Sequence, residues 1–223
     1  MKIAVINQPL ANRGDEAAHK AFLRTLAKQY KDAQIDVLFI NKKEELIDPF
    51  NVHLDNVNYI NLVGGQNFIK VEAICLLLRF PKLALLYPVL NRFYKNLKAY
   101  DIVINAPGGI CMGGFRNWDH VWQLLMAKYM KKKILYWGRS IGPFTDDNYK
   151  NRIFKNYSIE LLRYFSFCGL RESKSVSIAK SLGVEVTEMI DPALMEETDA
   201  EIPNVILNEI GNSKYFVFVP NEL

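Results

Sequence analysis

The 223-residue sequence has only three cysteines and three histidines. Cys75, Cys111 and Cys168 lie far apart, without a C-x-x-C pair or a histidine at ligand spacing. An odd number of isolated cysteines argues against a disulfide scaffold and a zinc site, and it is typical of reduced thiols in the cytoplasm. The histidines show no metal-binding spacing either. We therefore expect no metal and a cytoplasmic location.

The sequence also has no long apolar run and no targeting segment. The apolar start, residues 1–6, turns polar at Asn7 before the apolar region of a signal peptide would be complete. The longest apolar stretch, residues 73–90, is interrupted by Arg79 and Pro81 before it reaches the ~20 apolar residues that a transmembrane helix requires. We expect neither a signal peptide nor a membrane span.

Lysine and arginine are concentrated in the middle of the chain. Residues 66–133 hold 11 basic and 3 acidic side chains, residues 1–65 hold 8 of each, and residues 134–223 hold 9 basic and 13 acidic ones. One positive face would suit anionic lipid or a phosphorylated glycan carrier, and a solvated helix surface explains it equally well. For residues 73–98, a basic amphipathic helix pair on a membrane surface is one form of the first reading, and a helix-turn-helix packed on the sheet is the alternative. Nucleic acid is not expected, because no nucleic-acid-binding motif accompanies the charge.

Short apolar runs alternate with helical patterns along the whole chain, which is typical of an α/β domain with an open parallel sheet. The predicted strands are 3–7, 35–40, 59–63, 102–105, 134–137, 166–170 and 186–190. The predicted helices are 15–30, 66–79, 84–97, 118–130, 146–164 and 173–182. After an acidic loop, a short helix near 204–210 and a β-type run at 214–220 follow.

Three catalytic or nucleotide-binding motifs are tested and rejected. Gly138–Gly142 matches the G-x-S-x-G of serine hydrolases, but that order needs a later histidine and the last one is His120. The glycines of residues 108–114 have Ile110 where a dinucleotide fingerprint needs glycine, and they lack the Gly-Lys of a P-loop. These glycines still indicate a close backbone approach or a positive φ, or simply a tight turn.

Five segments follow the carboxyl ends of predicted strands. They are residues 12–17, 107–114, 138–143, 170–175 and 190–193. In an open parallel sheet these ends line one edge, and ligands bind in the crevice there. We therefore expect the five segments to form one site.

The side chains of these segments suit a sugar and an anion. Asn12 and Asp15 can bind hydroxyl groups, while Arg139 and Arg171 offer guanidinium groups to carboxylate or phosphate. An alternative for Arg171 is an ion pair with Glu172 or Asp191 that only ties loops together. Both readings stay open on the sequence alone.

Taken together, the five segments resemble the polysaccharide pyruvyl transferases. That family carries N-x-G-D-E-A after its first strand, a Gly-Gly loop after a D-x-h-h strand (h, apolar), S-I-G-P, R-[DE]-x-x-S followed by L-G-V, and D-P. The matching residues in this chain are 12–17, 101–109, 140–143, 171–175 with 182–184, and 191–192. The chain departs from the family where Ile110 replaces a frequent glycine and Arg139 a frequent glutamine.

The resemblance implies a Rossmann-like N-terminal domain, residues 1–200, of a two-domain GT-B-like architecture, with residues 201–223 as linker and first strand of a second domain. It implies transfer of a pyruvyl group from phosphoenolpyruvate to a sugar or lipid-linked glycan, without a cofactor. The family's Arg-and-His signature belongs to the second domain, so catalytic residues are not assigned and we expect the chain alone to be inactive. The residues expected to bind substrate are Asn12, Gly14, Asp15, Gly108, Gly109, Arg139, Ser140, Arg171 and Asp191.

Two other functions remain open on the sequence. One is a glycosyltransferase of the same architecture that uses a nucleotide sugar. The other is a non-catalytic, glycan-binding relative, which the departures at Ile110 and Arg139 allow. Bacterial surface polysaccharides are often assembled on lipid carriers at the inner membrane face, so the basic middle of the chain would hold a pyruvyl transferase near its acceptor there.

Overall fold

The computed structural model describes residues 1–9, 13–40, 52–63, 67–195 and 204–210. Its centre is a sheet in which every strand pair is parallel. The strands are β1 (Lys2–Ile6), β2 (Gln34–Ile40), β3 (Val57–Leu62), β4 (Ile102–Asn105), β5 (Gly108–Met112), β6 (Lys133–Ile141), β7 (Phe167–Leu170) and β8 (Thr187–Glu188). Their order is β3-β2-β1-β4-β6-β7-β8, with β5 paired to β6.

Helices connect the strands. They are α1 (Arg13–Gln29), α2 (Phe68–Leu77), α3 (Pro88–Leu97), α4 (Trp118–Tyr129), α5 (Tyr149–Tyr164), α6 (Ser173–Ser181) and α7 (Asn204–Ile210). Two 3-10 helices, Pro81–Leu86 and Pro192–Met195, complete the described elements. No helix in this described part is both long and apolar enough to cross a membrane.

Both faces of the sheet are covered, which explains why its central strands are almost continuously apolar. Successive strand residues point to opposite faces, so Ile3 and Val5 pack in one core with α1. Ala4 and Ile6 belong to the larger core, which α2 to α6 cover on the other face. The predicted fold class, an open parallel Rossmann-like sheet with helices on both faces, is confirmed.

The structure differs from the sequence prediction around β5 and β6. Residues 108–112, predicted as part of a loop, form a strand, and β6 runs to Ile141 instead of ending at residue 137. The first half of β6 pairs with β4 and the second half with β5. The G-x-S-x-G segment therefore belongs largely to a strand and not to a loop.

The predicted helix 84–97 is also divided in the structure. A 3-10 helix ends at Leu86, and α3 begins at Pro88. Proline at the first position of a helix is favourable, whereas inside a helix it removes a hydrogen bond and clashes with the preceding turn. The short helix near 204–210 is present as α7. The β-type run 214–220 lies outside the described residues.

Candidate functional site

The carboxyl ends of the strands lie along one edge, as expected for parallel pairing. The structure brings together several of the predicted site residues there, and it shows what each of them contacts. Asn12 lies outside the described residues. Gly14 lies in the first turn of α1 and is exposed.

The ends of β5 and β6 pack backbone against backbone. A Cβ atom added to Gly113 would lie 2.2 Å from the carbonyl oxygen of Gly142, and Gly113 has φ +76°. The amide of Gly114 donates to the carbonyl of Pro143 at 2.8 Å, and that of Gly142 donates to Met112 at 2.9 Å. The glycines thus serve close backbone approach, one of the alternatives that the sequence left open.

Gly108 lies beside two other predicted site residues. A Cβ atom at position 108 would be 2.9 Å from Cγ of Pro9, 3.3 Å from Oδ1 of Asp15 and 3.5 Å from Nη2 of Arg139. Gly108 also has φ +146°, while a Cβ atom at Gly109 would contact nothing within 4 Å. Asp15, Gly108 and Arg139 therefore form one cluster beneath the segment that follows β1.

Arg139 is buried, with 2% of its surface exposed. Its Nε donates to the carbonyl of Ala106 at 2.5 Å, its Nη2 to Asn7 at 2.5 Å and its Nη1 to Gly109 at 3.3 Å. The guanidinium group thus ties the chain after β1 and after β4 to β6. These contacts give Arg139 a structural role, and its contact with an anionic substrate stays a prediction.

Arg171 lies at the carboxyl end of β7 and pairs with Asp191. Its Nη1 is 2.7 Å from Oδ2 of Asp191, and its Nε donates to Oγ of Ser140 at 3.0 Å. The two charged side chains are 27% and 30% exposed. The ion pair that the sequence offered as an alternative for Arg171 is therefore present. The guanidinium group nevertheless reaches the surface, unlike that of Arg139.

A second hydrogen-bonded group stands next to this pair. Oγ of Ser175 contacts Oε1 of Glu172 at 2.7 Å and the amide of Ile141 at 2.9 Å. The hydrogen bond from Ser175, followed by one from Ser140 and the charges of Arg171 and Lys174, holds the pKa of Glu172 below its usual value. Glu172 is accordingly a carboxylate at neutral pH.

Asp191 immediately precedes the second 3-10 helix. Its Oδ1 accepts from the amide of Ala193 at 3.0 Å. The following Pro192 packs against β6, where a Cβ atom at Gly138 would come within 2.6 Å of its Cγ. Gly138 has φ +59°, so glycine is required there by both conformation and space. Asp191 and Pro192 thus hold the segment that follows β8 against β6.

A pocket of about 250 Å³ opens beside the ends of β5 and β6. It is lined by Gly113, Gly114, Phe115, Arg116, Pro143, Phe144, Thr145, Asn151 and Phe154. Sequence reasoning missed Arg116, whose guanidinium contacts the side-chain oxygen of Asn151. The available signal was its position just after the glycine-rich segment. The pocket combines aromatic rings with groups able to bind hydroxyls or an anion.

The cysteines lie away from solvent. All three are free and buried, and burial raises the pKa of Cys168 to about 12. Sγ of Cys111 lies 3.0 Å from the hydroxyl of Tyr136. Within the described ranges, no group of three His, Cys, Asp or Glu side chains is placed to hold a metal ion.

Two solved structures share the fold. UDP-GlcNAc 2-epimerase from Neisseria meningitidis, bound to UDP-GlcNAc, matches with a TM-score of 0.54 and 14% identity over 95% of this chain and 51% of its own. A Medicago truncatula protein complexed with UDP-glucose matches with a TM-score of 0.52 and 10% identity over 93% of this chain and 56% of its own. The chain thus spans about half the length of these structures.

No curated protein sequence matches the chain significantly, but a family model does. The model of the polysaccharide pyruvyl transferase family matches residues 12–220. That range contains the cluster around Gly108, the pocket beside Gly113 and the Arg171–Asp191 pair. The chain belongs to the polysaccharide pyruvyl transferase family.

Proposed function

We propose that this chain contributes to the transfer of a pyruvyl group from phosphoenolpyruvate to a sugar of a bacterial surface polysaccharide. In this reaction two sugar hydroxyl oxygens bond to C2 of the donor, and the phosphate leaves. One hydroxyl proton reaches the methylene carbon, which becomes the methyl group of the ketal, and the other leaves with the phosphate. Membership of the family supports the proposal.

The observation that carries the proposal is the partly exposed guanidinium group of Arg171. Phosphoenolpyruvate brings a carboxylate and a phosphate, and arginine is the side chain best matched to both. Among the described residues, Nη2 of Arg171 has no hydrogen-bond acceptor, whereas Nε and Nη1 are held by Ser140 and Asp191. The fork is thus oriented by two partners and keeps donors for an anion.

We assign the acceptor sugar to the pocket beside Gly113. The rings of Phe115 and Phe144 offer faces to the apolar side of a sugar, and Thr145 and Asn151 offer polar groups to its hydroxyls. Asp15 and Gly108 shape the neighbouring part of the edge. Because Ser175 joins the Arg171 segment to Ile141, next to Gly142, this assignment puts the donor and the acceptor on adjoining segments.

Isothermal titration calorimetry with phosphoenolpyruvate tests the donor site. We expect heat of binding with the chain, and a loss of affinity of about tenfold or more in Arg171→Ala. Arg163→Ala is the matched control, since Arg163 is an exposed arginine that donates to the carbonyl of Leu182. Absence of heat with the unaltered chain, or an equal loss in the control, would overturn the assignment of the donor to this edge.

A glycosyltransferase using a nucleotide sugar is the second candidate. Two of the solved structures with a similar fold are complexes with a UDP-sugar, which is the reason to consider this function. The same calorimetric titration with UDP-GlcNAc and UDP-glucose distinguishes the two. Binding of a UDP-sugar, with none of phosphoenolpyruvate, favours the glycosyltransferase.

A further inference from the structure

The 3-10 helix Pro81–Leu86, together with Phe80 just before it, carries one buried and one exposed row of side chains. Residues three apart eclipse one another in a 3-10 helix. Pro81 and Ala84 form the buried row. Phe80, Leu83 and Leu86 form a row that is 65%, 49% and 84% exposed. An apolar row thus points to solvent from a helix whose opposite side is already packed.

The neighbouring helix α2 extends this apolar surface. Ile74 and Leu78, four residues apart on one side of α2, are 56% and 58% exposed. The inward side of α2 is also apolar, with Phe68 and Leu76 buried. We call the five exposed side chains the apolar corner; they are Ile74, Leu78, Phe80, Leu83 and Leu86. An exposed apolar surface of this kind marks an interaction site.

Only basic charge surrounds the apolar corner along the chain. Residues 73–100 contain five lysines and arginines and no carboxylate. Arg79 and Lys82, both exposed, stand between the apolar residues. Glu72, the acidic residue nearest in sequence, is buried, and desolvation raises its pKa well above the usual value. No negative charge from this stretch offsets the basic residues.

We propose that the apolar corner docks on the surface of an anionic lipid bilayer. Apolar side chains that enter the boundary between head groups and acyl chains, with lysine and arginine beside them, are the combination that binds such a surface. The helices that carry the corner are too short to cross the bilayer, so the contact is peripheral. The proposal does not depend on the reaction that the chain supports.

The charge pattern favours lipid over a second copy of the chain. A symmetric dimer through the corner would bring Arg79 and Lys82 against the same residues of the other copy, and like charges repel. Another exposed apolar group, at Ile190, Leu194 and Met195, lies in a stretch, residues 181–213, that has acidic residues and no lysine or arginine. It has the opposite charge character and serves as the comparison.

Vesicle co-sedimentation of the chain tests the proposal. We expect the chain to bind vesicles of phosphatidylglycerol mixed with phosphatidylcholine, and to bind pure phosphatidylcholine vesicles or the mixture at high salt less. Leu83→Ser with Leu86→Ser should reduce the bound fraction about tenfold. Leu194→Ser with Met195→Ser is the matched control, since these side chains are 75% and 48% exposed. The control should bind as the unaltered chain does.

Four results would overturn the proposal. The first three are no binding to the mixed vesicles, equal binding to both kinds of vesicle, and an equal loss in the control. A fourth is a dimer in sedimentation equilibrium that the Leu83 and Leu86 substitutions abolish, because the corner would then be covered by a second copy. Circular dichroism of both double variants verifies that they fold, which is expected because the substituted side chains are exposed.

Discussion

Two neighbouring regions of the carboxyl edge are built in different ways. Between β5 and β6 the chain is held by backbone contacts and by one buried arginine, with glycine wherever the chains approach most closely. Between β7 and β8 it is held by side chains: the Arg171–Asp191 ion pair and the bond between Ser175 and Glu172. The first region depends on space and conformation, and the second on charge and hydrogen bonding. Substitutions in the two regions should therefore differ in size and in their response to pH and salt.

The largest effect is expected for Gly113→Ala. The added methyl group would meet the carbonyl oxygen of Gly142 at 2.2 Å, and the residue has φ +76°. We expect a loss of about 4 kcal/mol or more in the free energy of unfolding, measured by urea denaturation. Gly109→Ala is the control, because its Cβ atom would have open space, and its effect should stay below about 1 kcal/mol. Similar losses for both variants would show that the close approach does not matter.

A smaller loss is expected for Arg139→Met. The substitution removes three hydrogen bonds and leaves the carbonyl of Asn7 without its donor in a buried site, while the carbonyl of Ala106 keeps only the 3.3 Å bond from Asn105. We expect a destabilisation of about 3 kcal/mol by the same measurement. Arg139→Lys retains the charge but not the three-pronged geometry, so its loss should be intermediate. An unaffected Arg139→Met variant would remove the structural role that we assign to this residue.

The Arg171–Asp191 pair should contribute less, since both side chains are partly exposed. A double-mutant cycle with Arg171→Gln and Asp191→Asn measures the coupling free energy, which we expect to be about 1 kcal/mol. The coupling should decrease as salt is added, because salt screens partly exposed charges. A coupling above about 3 kcal/mol would place this pair in the same class as the buried Arg139.

The smallest effect is expected at Glu172, which is exposed. Its pKa is lower in the folded chain than in the unfolded one, mainly through Ser175. Its contribution is therefore present above the unfolded-state pKa and is lost as the pH falls through the folded-state pKa. After screening by solvent, Glu172→Gln should cost about 0.5 kcal/mol at pH 7 and nothing below the folded-state pKa. Thermal unfolding across this range checks the sign, and a larger loss in acid would contradict it.

The elements of the fold also differ in how well the sequence predicts them. Strands such as β2 and helices such as α4 follow from apolar runs and periodicity, and their ends agree within a few residues. β5 was missed because Gly108 and Gly109 are typical of loops, and the strand exists only because β6 continues far enough to pair with it. That continuation depends on which strands are neighbours in space, which periodicity does not encode.

Only part of the candidate site was predictable from the sequence. The ion pair of Arg171 with Asp191 was one of two sequence interpretations, since oppositely charged residues at adjacent strand ends meet at the edge. The burial of Arg139 was not predictable, because its acceptors are carbonyls of distant segments whose approach only the fold defines. Arg116 lacked any motif of its own, so only the pocket draws attention to it.

Arg139 connects the two regions of the edge through hydrogen bonds of its side chain and of its backbone. Its side chain holds the segments after β1 and β4, while its own carbonyl accepts from the amide of Arg171 at 3.3 Å. One residue thus connects both regions of the edge. A ligand that displaces Arg171 would pull on the backbone of Arg139 and, through the Arg139 side chain, on the backbone around Asn7. The loops that Arg139 connects should therefore move together and not one by one.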